Sequence, residues 1–217
     1  MRTAAPARPP APRVAGAALS RRVAASALAL AILALGACSP TVTGGWDEDG
    51  AQTGYVSGDR SVTTWDEGER LGPVELAGAD FAGAAVDLAD WRGDVVVLNT
   101  WYAQCPPCRA EAPDLVALAE DYADRGVRVL GINSTDDAGA AQAFERTFAV
   151  PYPSLHDADG AAVAALQGVV PVQAVPTTVV LDAQGRVAAR VLGVIDPSTV
   201  RTVVDDLLAE RDGEERA

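Results

Sequence analysis

Two cysteines stand two residues apart in Trp101-Tyr102-Ala103-Gln104-Cys105-Pro106-Pro107-Cys108-Arg109-Ala110-Glu111. A pair so spaced can carry electrons as a dithiol and disulfide, or it can supply half of a metal site. The prolines favour the first reading. Proline is tolerated in the first turn of a helix, where its missing N–H has no intrahelical partner. With Cys105 as N-cap, Pro106, Pro107 and Cys108 become the first three helical residues, and the Cys108 amide is the first free donor aimed at the Cys105 sulfur. That donor and the positive end of the helix dipole both favour a thiolate. Cys105 is thus expected to be the exposed nucleophile and Cys108, one turn further in, the resolving thiol. A closed zinc site needs four Cys or His ligands, and the chain has one other cysteine, Cys38, and a single histidine, His156. A purely structural disulfide across so short a loop would constrain the unfolded chain little.

On the helix that follows, Cys108, Glu111, Leu115, Leu118 and Tyr122 recur at spacings of three and four and so share one face. Glu111 is therefore expected to point inward beside Cys108, where a carboxyl group can take or return the thiol proton. Asp114 and Asp121 fall on the opposite, wet side. Arg109 reads as a solvated first-turn residue, and Pro113 is expected to bend the helix. His156 reads as a surface residue, and Asp157-Ala-Asp159-Gly160 as a turn capping the next helix.

The elements that must position these groups follow from the apolar periods. Asp94 to Thr100 is a β-branched run suited to a strand buried on both faces, and it leads directly into the cysteines. Short strands are expected at 73–76 and 84–88, then a helix to about 124 and a strand at 127–133. A helix at 138–148, a short strand at 152–155 and a helix at 161–166 come next. Strands at 177–181 and 187–192 are joined by the turn Asp182-Ala-Gln-Gly185, and a helix from 197 to 210 closes the domain. The pattern is that of an α/β domain with a central mixed β-sheet flanked by helices.

The first 37 residues hold five Arg and no acid, then an uncharged run from Val23 to Leu35, then Leu35-Gly36-Ala37-Cys38. They read as a secretory leader (1–37) with a lipoprotein-like cleavage site, after which Cys38 would carry lipid. Residues 38–72 are rich in Gly, Thr, Ser, Asp and Glu and read as a flexible tether, with no role given to Trp46 or Trp65. The domain is placed at 73–212 and a tail at 213–217. The chain carries a net charge of −13, and every basic residue is Arg. Without the leader, 12 Arg stand against 30 acids, or −18. Nucleic acid and anionic lipid head groups would be repelled.

Asn99-Thr-Trp101, Cys105-Pro-Pro-Cys108-Arg-Ala-Glu111-Ala-Pro113 and Val175-Pro176-Thr177-Thr178-Val-Val-Leu-Asp182-Ala-Gln-Gly185 together resemble the TlpA/ResA type of membrane-anchored, thioredoxin-like thiol:disulfide oxidoreductase. The resemblance implies a thioredoxin-like fold with short N-terminal strands and a central αβ insertion. It implies catalysis by Cys105 and Cys108 with Glu111 as the functional acid. It also implies a cis Val175–Pro176 bond opposite the dithiol, and a groove for clients at Trp101, Gln104, Val175 and Thr177. The family usually has Trp before the first cysteine, where this chain has Gln104. No cofactor or metal is expected. The implied partners are protein thiol or disulfide clients, among them apocytochrome c, and a membrane thiol reductant of the DsbD/CcdA type. The implied location is the outer face of the cytoplasmic membrane. Two other functions fit a Cys-x-x-Cys on this fold: a Cu(I) chaperone using Cys105, Cys108 and His156, and a thiol peroxidase. Copper chaperones of this fold space their cysteines one residue further apart, and the Pro and Thr that precede a peroxidatic cysteine are missing.

Overall fold

A computed structural model describes residues 61–171, 174–214 and 216. Its centre is β4 (Val95–Thr100), the apolar run that precedes the cysteines, buried along its whole length. On one side it pairs in parallel with β5 (Val127–Asn133), which pairs in parallel with β6 (Ser154–His156). On the other it pairs antiparallel with β7 (Thr177–Leu181), followed by β8 (Val187–Leu192) and β1 (Val62–Thr64). The sheet is therefore mixed, in the order β1-β8-β7-β4-β5-β6. Burial on both faces explains why β4 lacks polar alternation until Asn99.

Four helices are described: α1 (Pro106–Tyr122), α2 (Ala138–Phe148), α3 (Ala161–Ala165) and α4 (Pro197–Glu214). Leu115, Leu118 and Tyr122 of α1 and Val200, Val204 and Leu207 of α4 pack on Val95, Val97 and Val129, the odd-numbered side of β4 and β5. The even-numbered side, with Val96, Leu98 and Leu130, is covered by Val74, Leu76, Val86 and Leu88 and by Ala162 and Leu166. α1 runs on through Pro113. Asp157 caps α3, its carboxylate accepting from the Ala162 and Val163 amides.

The folded part begins earlier than the composition implies. β1 lies inside the stretch read as a tether and pairs with β8, more than 120 residues away. Trp65, to which no role was given, is only 6% exposed in the core, with the Arg190 guanidinium 6.0 Å from its ring centre. The short strand expected at 73–76 is instead β2 at Ala77–Ala79, paired with β3 at Ala85–Asp87 as a separate hairpin. Residues 73–76 serve as core: Val74 and Leu76 are 5% exposed. The leader, the lipoprotein-like site at Cys38 and Trp46 lie outside the described residues. Among the described residues, no helix is long and apolar enough to cross a membrane.

Candidate active site

Cys105 sits at the N-cap of α1 in an extended conformation, with Pro106 at the first helical position. The Cys108 amide donates to the Cys105 sulfur at 3.2 Å, as the capping argument requires, and the two sulfurs are joined as a disulfide. The loop before the helix is held from outside it: the Asp136 carboxylate accepts from the Ala103 amide at 2.6 Å and from Asn133 Nδ2 at 2.8 Å. Arg109 is exposed at its surface but anchored, donating to the Ala103 carbonyl at 3.3 Å with its guanidinium 5.1 Å from the Phe148 ring centre.

One expectation is corrected here. In the closed disulfide Cys105 is 0% exposed and Cys108 2%, so neither sulfur presents surface. Both belong to an apolar cluster with Phe81, Trp101, Ala103 and Phe144. The helix start directs the Cys105 sulfur, but the cluster it joins includes Phe81, between β2 and β3, and Phe144 of α2, which local spacing does not bring to it.

Glu111 is inward, as the helical spacing predicts, and fully buried at 0% exposure. Its two oxygens accept from Asn99 Nδ2 at 2.8 Å and from the Ile195 amide at 3.1 Å. Both donors are neutral. Burial therefore dominates and pushes the carboxyl pKa up to about 7, against the pull of the Asn99 and Ile195 hydrogen bonds. At neutral pH such a group can either hold or release a proton. Tyr152 is also pushed upward, by burial first and then by the charges of Glu111 and Glu145.

Val175–Pro176 is cis, as the resemblance implies; Gly72–Pro73 is cis as well. The four residues assigned to the client groove divide into two kinds. Gln104 is exposed and Val175 is 38% exposed. Among the described residues, neither the N–H nor the C=O of Val175 has a hydrogen-bond partner. Trp101 and Thr177 are instead buried. Trp101 stacks on Phe144 with ring centres 4.3 Å apart, and the Thr177 amide donates to Thr100 Oγ1 at 2.9 Å. Beside Val175 opens a cleft of about 380 Å³ walled by Trp101, Ile132, Val163, Val170 and Ala174 and by no charged side chain.

His156 is apart from the cysteines in role, its ring stacked on Phe81 at 4.8 Å. Among the described residues, no group of three or more His, Cys, Asp or Glu is placed to hold a metal ion. Sequence reasoning missed Asp136 and gave no role of its own to Asn99. An amide closing an otherwise apolar buried strand was the signal available for Asn99.

Residues 66–207, well over half of the chain, match the model of the redoxin family. The chain belongs to the redoxin family. This redoxin is of the thioredoxin-like TlpA/ResA type, and its relatives agree. It is 34% identical to a secreted thiol-disulfide isomerase of Corynebacterium glutamicum, with a TM-score of 0.66 over 71% of this chain and 96% of that one. It is 35% identical to a DsbF homologue of Corynebacterium diphtheriae, with a TM-score of 0.61 over 70% of this chain and 96% of that one. Over 78 residues it is 30% identical to the thiol-disulfide oxidoreductase ResA of Halalkalibacterium halodurans, a match that covers 36% of this chain and 44% of the relative. The matched stretch is thus less than half the length of that curated relative.

Proposed function

We propose that this redoxin is an extracytoplasmic thiol:disulfide oxidoreductase that reduces disulfides in client proteins. The observation that carries the reading is the Cys105–Cys108 disulfide at a helix N-terminus, with the Cys108 amide on the Cys105 sulfur. In the reduced protein, the Cys105 thiolate attacks a client disulfide. A bond forms between Cys105 and one client sulfur, and the other client sulfur leaves with the electron pair. Cys108 then gives its proton to Glu111, three residues on along the same helix face, and attacks Cys105. The mixed disulfide breaks and the client leaves reduced by two electrons, while the enzyme disulfide re-forms.

The Val175 backbone, without a hydrogen-bond partner among the described residues, supports binding of an extended client segment as an added strand, with Gln104 and the uncharged cleft beside it. The finer reading keeps the family's setting. The 1–37 leader exports the chain, lipid on Cys38 holds it at the outer face of the cytoplasmic membrane, and the clients include apocytochrome c. A membrane thiol reductant of the DsbD/CcdA type then returns the domain to its dithiol state.

Turbidimetric reduction of insulin in the presence of dithiothreitol tests the activity. The wild type should accelerate precipitation, and Cys105→Ser should fall to the uncatalysed rate. A wild type no faster than that variant would end the reading.

A further inference from the structure

The register of the sheet places a row of polar positions across its α1 side. Thr178 of β7 pairs with Asn99 of β4, Asn99 with Gly131 of β5, and Gly131 with Ser154 of β6. The first part of the row is closed: Asn99 Nδ2 donates to Thr178 Oγ1 at 3.1 Å and to Glu111 at 2.8 Å. At Gly131 the row has no side chain, and beyond it Ser154 Oγ is buried without a hydrogen-bond partner. The carboxyl of Glu145 on α2 is the nearest candidate acceptor, close enough that a hydrogen bond from this hydroxyl would lower its pKa, but it does not stand in hydrogen-bonding geometry to it. A buried orphan hydroxyl is costly and calls for an explanation.

The surroundings supply one. A Cβ on Gly131 would lie 2.5 Å from Trp101 Nε1 and 2.6 Å from Ser154 Oγ, so both polar atoms converge on the space that glycine leaves. Trp101 and Ser154 also wall a cavity of about 10 Å³, whose other walls include Cys108, Asn99 and Tyr152. That is about the room one water molecule needs, and a buried water needs two to four polar partners.

We propose that this cavity binds one ordered water, held by the Ser154 hydroxyl and the Trp101 indole N–H, which donates a hydrogen bond to the Cys108 sulfur. Ser154 is then a positioning residue for the exchange, acting through the water. The step rests on the proposed oxidoreductase reading and balances without a further reactant. When an incoming thiolate bonds to Cys105, the Cys105–Cys108 bond breaks and the electron pair stays on Cys108 as a thiolate. The water solvates that charge inside an apolar cluster without itself losing a proton. A better stabilised leaving thiolate leaves faster.

The test is a titration of Cys108, read from the Cβ shift of ¹³C-labelled cysteine in a Cys105→Ser background. Glu111, Tyr152, Glu145 and Arg109 also lie near this region on α1, on the loop before β6 and on α2, so the titration is repeated with Glu111→Gln. Ser154→Ala should weaken thiolate formation at Cys108 on the order of fivefold, the factor carried by one hydrogen bond of ordinary net strength. Ser154→Thr, which keeps the hydroxyl, should restore it. A high-resolution crystal structure should show the water between Ser154 Oγ and Trp101 Nε1, and Gly131→Ala should displace it. Superimposable Cys108 titrations for wild type and Ser154→Ala, or a well-ordered dry cavity, would overturn the proposal. These readouts need no client. Failure of insulin reduction would count against the proposed function, and an unmoved Cys108 against the water.

Discussion

Two buried acids stand at opposite ends of the sheet. Asp182 follows β7 and is 3% exposed, while Glu111 lies beside the far end of β4 and is 0% exposed. Asp182 is saturated with charged and backbone donors. Its carboxylate faces the guanidinium of Arg70 at 3.2 Å and of Arg186 at 2.8 Å, and it accepts from the Gln184 and Arg186 amides. Glu111 has two neutral donors only. The same kind of group thus closes a hairpin through ion pairs at one end and is an acid raised by burial, on the helix that carries the cysteines, at the other. The difference lies in the partners, because both carboxyls are buried: one meets guanidiniums, whereas the other has neutral donors only and burial decides.

The comparison is broken most forcefully at the structural end. Asp182→Ala leaves the Arg70 guanidinium, itself 5% exposed, with the half-exposed Glu210 as its one ion partner among the described residues. Breaking a buried pair on one side is strongly destabilising, so urea denaturation should show a loss of about 3 kcal/mol. Insulin reduction per folded molecule should not change. A large loss of turnover in the folded fraction would mean that the two ends are coupled.

At the other end, Glu111 makes stability depend on pH. Its folded pKa, raised from 4.5 to about 7, means that the folded state holds a proton the unfolded chain releases between those values. Stability should therefore fall as pH rises through that window and level off above it. The total is on the order of 3 kcal/mol. Glu111→Gln, a neutral group of the same shape, should remove this slope and shift the pH profile of thiol alkylation. Denaturation at a series of pH values on the oxidised protein checks the first part. An unchanged slope in the variant would assign the pH dependence to another group.

What was legible in the sequence differs between these ends for the same physical reason. The strand into Cys105, the N-cap and the inward Glu111 follow from local spacing and from what proline can and cannot do. The hairpin turn Asp182 to Gly185 was likewise readable from its residues. Partners brought together by strand register were not. Ser154 lines the same small cavity as Cys108, with Gly131 standing between it and Asn99 in the register. β1 and Trp65 join the core only by pairing with β8, and Cys105 shares its buried cluster with Phe81 and Phe144. Within residues 61–72 the tether reading gives way to a folded edge because that composition is polar, while a three-residue edge strand needs little apolar content of its own.

The smallest expected effect sharpens the contrast. At the Asp182 end guanidiniums pair with carboxylates, but the cation nearest the cysteines in sequence, Arg109, does not bond to Glu111. It donates to the Ala103 carbonyl and lies over the rings of Phe144 and Phe148, 6.0 Å and 5.1 Å from their centres. Exposed cation–π contacts contribute about 0.5–1 kcal/mol, so Arg109→Ala should cost roughly that much in denaturation. Because no ion pair joins Arg109 to Glu111, the stability slope of the oxidised variant between pH 4.5 and about 7 should overlay that of the wild type. A displaced slope would show that Arg109 contributes charge to the Glu111 site. The two ends of the sheet would then differ in degree of cation pairing and not in kind.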